Sequence, residues 1–196
     1  LLHRAHRWFR GRILRDRTAY WDAKYASGDW EKLKGPAETA RLDATARLLR
    51  RHVPPGRVLE IGCGEALLQQ HLQAGEYHNW LGVDISAIAI ERAQAFAGAD
   101  VRYVVADMET LEPGLGFDAI VFTESIYYAK DCAALLRRYR HFLSPAGIFL
   151  VSICRTKRSD RIWSDIHTVT AQFDLITTAN EIGTWDCAAL RPIPPG

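Results

Sequence analysis

From Arg57 onward the chain repeats one pattern, a short apolar run followed by an amphipathic stretch of helix length and then another apolar run. The runs are RVLEIG (57–62), NWLGVDI (79–85), VRYVVAD (101–107), FDAIVFTES (117–125) and GIFLVSI (147–153). Helices are predicted between them in ALLQQHLQA (66–74), AIAIERAQAFA (87–97) and CAALLRRYRHFL (132–143). Strands separated by helices of this length form parallel βαβ units, and strands this apolar belong to a sheet covered on both faces. A further helix is expected near residues 160–173. DLITTANEI (174–182) and TWDCAALRP (184–192) then read as two strands joined at Gly183 by a tight turn, hence antiparallel. The expected fold is α/β, a doubly wound sheet of seven strands, mostly parallel, with an antiparallel C-terminal hairpin strand.

Upstream, Leu42, Ala46, Leu49 and Val53 recur at helical spacing in a helix expected over about 39–52, which Pro54, Pro55 and Gly56 end. The segment YWDAKYASGDW (20–30) is aromatic-rich and too broken by glycine to make a long helix. Residues 1–17 carry six arginines and two histidines among apolar residues, the pattern of a basic amphipathic helix that is either a solvated lead-in or a docking element for a partner, a membrane surface or an anionic substrate. The division expected is residues 1–36, basic helix and aromatic lid, and residues 37–196, the ligand-binding domain, forming one globular unit.

Among 196 residues 48% are apolar and the formal net charge is +2, which suits one core and gives no general electrostatic case for a nucleic-acid partner. Cys63, Cys132, Cys154 and Cys187 are scattered and form no C-x-x-C, so neither a metal site nor a disulfide framework is expected. A reducing, cytoplasmic location fits that usage. No apolar run approaches the roughly 18 residues of a membrane span.

The glycine-rich turn after the first run, EIGCGEA, is where the backbone of an open parallel sheet approaches a ligand. Leu67 stands where a dinucleotide fingerprint has its third glycine, and Glu60 and Glu65 flank the loop, so a cationic ligand suits it better than a diphosphate. Asp84 ends the second strand, where a carboxylate can accept both hydroxyls of a ribose. Asp107 and Met108 follow the third, where an adenine would find a hydrogen-bond acceptor and an apolar contact.

In this order and spacing VLEIGCGEA, LGVDIS, VVADME, FDAIVFTESIYY and LSPAGIFLVS resemble the class I S-adenosylmethionine-dependent methyltransferases of the type 11/12 kind, over residues 20–192. The resemblance implies a Rossmann-like fold, S-adenosyl-L-methionine as cofactor, and methyl transfer to a nitrogen or oxygen of a small molecule. By position it implies that Glu60, Gly62, Cys63 and Gly64 surround the methionine part, Asp84 and Ile85 the ribose, and Asp107 and Met108 the adenine. Ala66 stands where many members have glycine, which leaves the closest backbone approach open.

The fourth strand runs out into TESIYYAKD, where Glu124, Ser125, Tyr127 and Tyr128 offer a carboxylate, a hydroxyl and two phenols. Glu124 and Tyr127 are the candidate catalytic residues, Glu124 also a cofactor neighbour; a carboxylate beside aromatic rings suits an amine. His167 is a third candidate, as a general base on the helix after the fifth strand. Arg155, Lys157, Arg158 and Arg161 cluster on the same side, so an anionic acceptor is one expectation and a solvated loop the other.

ESIYY and YWDAKYASGDW also look like the nodulation-protein S-type N-methyltransferases, which methylate an amino sugar. In such relatives the N-terminal aromatic segment folds over the cofactor. That likeness implies a lid of Tyr20, Trp21, Tyr25 and Trp30 with Trp21 at the cofactor; the alternative is that Trp21 and Trp30 anchor the N-terminal helix. A noncatalytic cofactor-binding module is the other function class. No Asp/Asn-Pro-Pro-aromatic element follows the fourth strand, which disfavours a nucleic-acid substrate.

Overall fold

The alternation of strands and helices becomes one seven-stranded sheet, ordered β3-β2-β1-β4-β5-β7-β6. In a computed structural model that describes residues 17–194, the strands are β1 Arg57–Ile61, β2 Asn79–Asp84, β3 Val101–Val105, β4 Phe117–Thr123, β5 Leu143–Cys154, β6 Thr170–Asn180 and β7 Gly183–Pro192. The helices are α1 Arg17–Ala26, α2 Pro36–His52, α3 Ala87–Ala93, α4 Cys132–Tyr139 and α5 Ser159–His167. The basic helix expected over residues 1–17, and any docking role for it, falls almost wholly outside the described residues.

Strands β1 to β5 run parallel, β7 pairs antiparallel with β5, and β6 pairs antiparallel with β7, which agrees with the expected mostly parallel sheet and C-terminal hairpin. Alternate residues of each central strand feed opposite cores. Val58, Trp80, Val121 and Leu150 join α2 on one face, whereas Leu59, Phe122 and Val151 join α4 and α5 on the other. Covering both faces is what makes the central runs continuously apolar. Because β2 and β3 lie on one side of β1 and β4 on the other, the chain reverses direction across the sheet at β1 and β4 and opens a crevice at their carboxyl ends.

Several local expectations change. Residues 66–74 do not form a helix. Ala66 has φ of 64°, a left-handed conformation that no α-helix can include, and only Gln69–His71 makes a 3₁₀ turn. The apolar spacing there records the burial of Leu68 and Leu72, not helical hydrogen bonding. The helix expected to reach Phe173 stops at His167, since β6 begins at Thr170, and the helices after β2 and β5's predecessor β4 end in 3₁₀ turns, Gln94–Phe96 and Arg140–Phe142. The aromatic segment is helical through Ala26, after which Gly28, at φ of 73°, turns the chain.

Glycine at 147 lets β5 pass the β4 irregularity between Phe117 and Ala119. A Cβ there would lie 2.6 Å from the Phe117 carbonyl oxygen and 3.0 Å from Leu143. Backbone cannot yield as a side chain can. Gly147→Ala is expected to lower the unfolding free energy by about 1–3 kcal/mol, read from the midpoint of urea denaturation.

Candidate functional site

At the carboxyl edge of the parallel strands lies a cavity of about 540 Å³. Strand order lays its lining out in sequence across the sheet. Asp107 and Met108 follow β3, Asp84 and Ile85 end β2, Glu60 to Gly64 end β1, Glu124 follows β4, Cys154 ends β5 and Trp185 stands near the start of β7.

The glycine loop is shaped by its neighbour across the crevice. Gly62 has φ of 74°, and a Cβ on it would lie 2.5 Å from Ser125 Cβ, whose own hydroxyl donates to the Ile61 carbonyl at 2.5 Å. No other residue fits there. Gly64 N–H donates to Asp84 Oδ2 at 3.0 Å, while Ser86 N–H donates to Asp84 Oδ1 at 2.9 Å. Each carboxylate oxygen retains a lone pair after those bonds. Burial raises the Asp84 pKa above the usual carboxylate value, and the amides that donate to it, Ser86 and Gly64 first, work the other way.

Glu60 is 2% exposed, and its Oε2 has no hydrogen bond among the described residues. Burial, reinforced by Asp84, pushes its pKa up to about 8, against the opposing field of Arg41. The indole N–H of Trp80 faces it without reaching full hydrogen-bond geometry. A buried acceptor of this kind calls for a cationic donor.

At the end of β4, Glu124 adopts φ of 54°, unusual for a residue with a side chain. Its carboxylate explains how that conformation is held: Oε1 accepts from Ser152 Oγ at 3.0 Å, and Oε2 accepts from Cys154 N–H at 3.1 Å and Tyr127 Oη at 3.2 Å. Burial raises the Glu124 pKa and raises that of Tyr127 well beyond a normal phenol, so Tyr127 keeps its proton.

The N-terminal segment forms one wall. Trp21 stacks on Trp30, with ring centroids 5.9 Å apart, and meets Tyr128 edge-on at 4.8 Å, and all three line the cavity. Tyr25 is buried with its hydroxyl against Gly64. Asp22 Oδ1 accepts from Ser86 Oγ at 2.6 Å and from Ile88 N–H at 3.3 Å, tying α1 to the start of α3. Glu65, 7% exposed, pairs with Lys34 at 2.5 Å and Arg92 at 2.7 Å, and Arg92 also donates to the Tyr25 carbonyl. Both tryptophans line the cavity, and Trp21 is the one that joins this segment to Tyr128 after β4.

The cavity therefore brings together Trp21, Glu60, Gly62, Cys63, Gly64, Asp84, Ile85, Asp107, Met108, Glu124 and Tyr127. It does not include His167, which is exposed at the end of α5 with its ring stacked on Trp163 at 5.6 Å. Helix α5 presents Ile162 to the cavity instead, five residues earlier and on another face. The basic run is also elsewhere: Arg155 forms a two-pronged pair with Asp186, at 2.7 and 2.8 Å, and Lys157, Arg158 and Arg161 are exposed outside the lining.

Sequence reasoning missed Arg41 and Glu38 of α2. Arg41 is 4% exposed, lines the cavity and gives its Nε–H to Glu38 at 2.5 Å, while its terminal nitrogens hold no hydrogen bond among the described residues. A signal existed: Arg41 stands beside Leu42 and four residues before Thr45, on the side of α2 that faces the core.

A family model described as a methyltransferase domain matches residues 30–186. An uncharacterized methyltransferase of Mycobacterium tuberculosis is 38% identical over 108 residues, 53% of this chain and 54% of that protein. A ubiquinone biosynthesis O-methyltransferase of Xylella fastidiosa is 31% identical over 143 residues, 68% of this chain and 58% of that one. The chain spans little more than half the length of these relatives. Among solved structures, N-methyltransferase NodS of Bradyrhizobium japonicum, in complex with S-adenosyl-L-homocysteine, superposes with a TM-score of 0.70 at 19% identity, covering 83% of this chain and 91% of that one. Magnesium protoporphyrin IX methyltransferase of Synechocystis gives 0.71 at 17% identity, covering 89% and 94%.

The Glu60 environment has a consequence for stability. With a pKa of 4.5 when exposed and about 8 when folded, the side chain binds its proton more tightly in the folded protein. Its contribution is favourable at low pH and is lost as pH rises from about 5 to about 8. Thermal denaturation between pH 5 and 8.5 is expected to show a falling melting temperature that Glu60→Gln makes flatter.

Proposed function

Because the chain belongs to the methyltransferase-domain family, we propose that it is an S-adenosylmethionine-dependent methyltransferase acting on a nitrogen or oxygen of a small molecule. The observation that carries this reading is the pairing of a buried, unpartnered Glu60 oxygen with the glycine cradle at Gly62. The first suits an ammonium, and the second, where Ser125 leaves room for glycine alone, fixes the backbone of the loop that lines the cavity beside it. Among the described residues Arg41 adds a guanidinium with unused donors on the same side, suited to a carboxylate. An amino acid's two charged groups fit this set, and the residues present therefore fit the cofactor.

Glu60 and Arg41 would hold the methionine part, Cys63 and the Gly62 and Gly64 backbone would pass beneath it, Asp84 and Ile85 would take the ribose, and Asp107 and Met108 would frame the adenine. When bound, the cofactor supplies a methyl group to the acceptor's lone pair, the S–C electrons staying on sulfur while the acceptor loses a proton. Glu124 would receive that proton. Its Oε1 accepts only one hydrogen bond from the protein, and its raised pKa brings it nearer to the working range of a general base. Tyr127, which keeps its own proton, is a positioning residue that holds Glu124. The segment through Trp21, Tyr25 and Trp30 acts as a lid that excludes water.

Calorimetric titration with S-adenosylhomocysteine, S-adenosylmethionine and NAD tests the cofactor assignment. The two sulfur ligands are expected to bind and NAD not to, and Asp84→Ala to weaken binding about 10- to 100-fold, since it removes charge-assisted hydrogen bonds to the ribose. No binding of either sulfur ligand would sink the proposal.

A further inference from the structure

The β6–β7 turn carries an isoleucine at its tip, where turns ordinarily carry polar residues. Ile182 is 53% exposed, yet it is held in place. Its N–H donates to Asn180 Oδ1 at 3.0 Å, and Asn180 Nδ2 donates to the Ala37 carbonyl at 2.6 Å, in the first turn of α2. That bond ties the turn to α2, and both Ile182 and Ala37 line the cavity.

Strand order separates this end of the cavity from the cofactor end. Asp84 and Asp107 lie on the β2–β3 side of the glycine loop, whereas Cys154, Trp185 and Ile182 lie on the β5–β7 side, with Ile162 of α5. Glu38 accepts from Arg41 Nε, and Glu124 is bonded to β5 and Tyr127, with room on its Oε1 for one more donor. Lys157, Arg158 and Arg161, the exposed cations after β5, lie outside the lining. An exposed β-branched side chain adds nothing to the fold, and held at a cavity rim it offers apolar surface to a ligand.

We infer that the acceptor is a molecule with an apolar body, its nucleophilic nitrogen or oxygen set at Glu124 and an alkyl or aryl portion lying between Ile162, Trp185 and Ile182 toward solvent. The inference rests on the methyltransferase reading and narrows its substrate class. A free sugar or a compact phosphorylated acceptor would set its hydroxyls or charges against Ile162, Ile182 and the Trp185 ring, which together offer a single indole N–H.

The test uses the whole chain saturated with S-adenosylhomocysteine, titrated with phenol, 4-pentylphenol and D-glucosamine, and followed by calorimetry and tryptophan fluorescence. Each methylene buried strengthens binding about fourfold, so 4-pentylphenol is expected to bind at least about tenfold more tightly than phenol, and glucosamine most weakly. Ile182→Ser, at an exposed turn, is expected to reduce the preference for 4-pentylphenol about fivefold and leave S-adenosylhomocysteine affinity and the melting temperature unchanged. Equal affinities for the two phenols, tightest binding of glucosamine, or a preference untouched by Ile182→Ser would overturn the inference alone. Failure of S-adenosylhomocysteine to bind would overturn the cofactor assignment and the inference with it.

Discussion

The close approach of β1 and β4 at their carboxyl ends governs the architecture of the site. Ser125 reaches across to the Ile61 carbonyl, and its Cβ stands where Gly62 would otherwise carry one. That contact requires glycine in a left-handed conformation and sends the loop toward β2, where Gly64 N–H meets Asp84. Asp84 in turn receives the Ser86 amide, and Ser86 caps α3, so the loop, the β2 carboxylate and the next helix are fixed as one unit. Ala66 and Glu124, both left-handed without being glycine, store strain of about 1–2 kcal/mol each around this unit. Such strain persists only where the surroundings over-determine the backbone; here Glu124 lines the cavity, and Ala66 is buried between the lining residues Glu65 and Leu67.

Electrostatics reinforces the geometry. Glu60, Asp84 and Glu124 bring three carboxyl groups to one cavity, and burial raises the pKa of each. They are not equivalent. Asp84 and Glu124 are held by donors from the protein, whereas the Glu60 Oε2 has no hydrogen bond among the described residues. A cationic group entering there would favour ionised Glu60, so ligand binding and loss of the Glu60 proton are coupled. The ion pairs of Glu65 with Lys34 and Arg92 hold the N-terminal wall beside that same loop.

Much of this was legible along the chain. The seven strands, the parallel order of the first five and the C-terminal antiparallel pair follow from the spacing of apolar runs, because a strand covered on both faces must be apolar throughout. The strand-end residues Gly62, Gly64, Asp84, Asp107 and Glu124 were identified for the same reason: in a parallel sheet every carboxyl end faces the same edge, so position within a run fixes which side chains meet. Residues 66–74 misled because Leu68 and Leu72 are buried at a spacing that helices share with irregular chain. His167 misled because a helix that follows a site strand turns only one face back to the cavity, and that face is the one with Ile162.

The sequence by itself therefore determined the sheet, the crevice and the carboxylates at its edge, since these depend on local periodicity and on strand direction. Tertiary structure alone decided which long-range partners complete the cavity: Arg41 and Ala37 from α2, Trp185 from β7 and Ile182 from a turn. Each comes from an element far away in the chain whose rotation about its own axis is set by packing, and no spacing along the sequence encodes that rotation. The proposed function follows the same division, with the cofactor side read from strand ends and the acceptor side from residues that only the folded elements bring together.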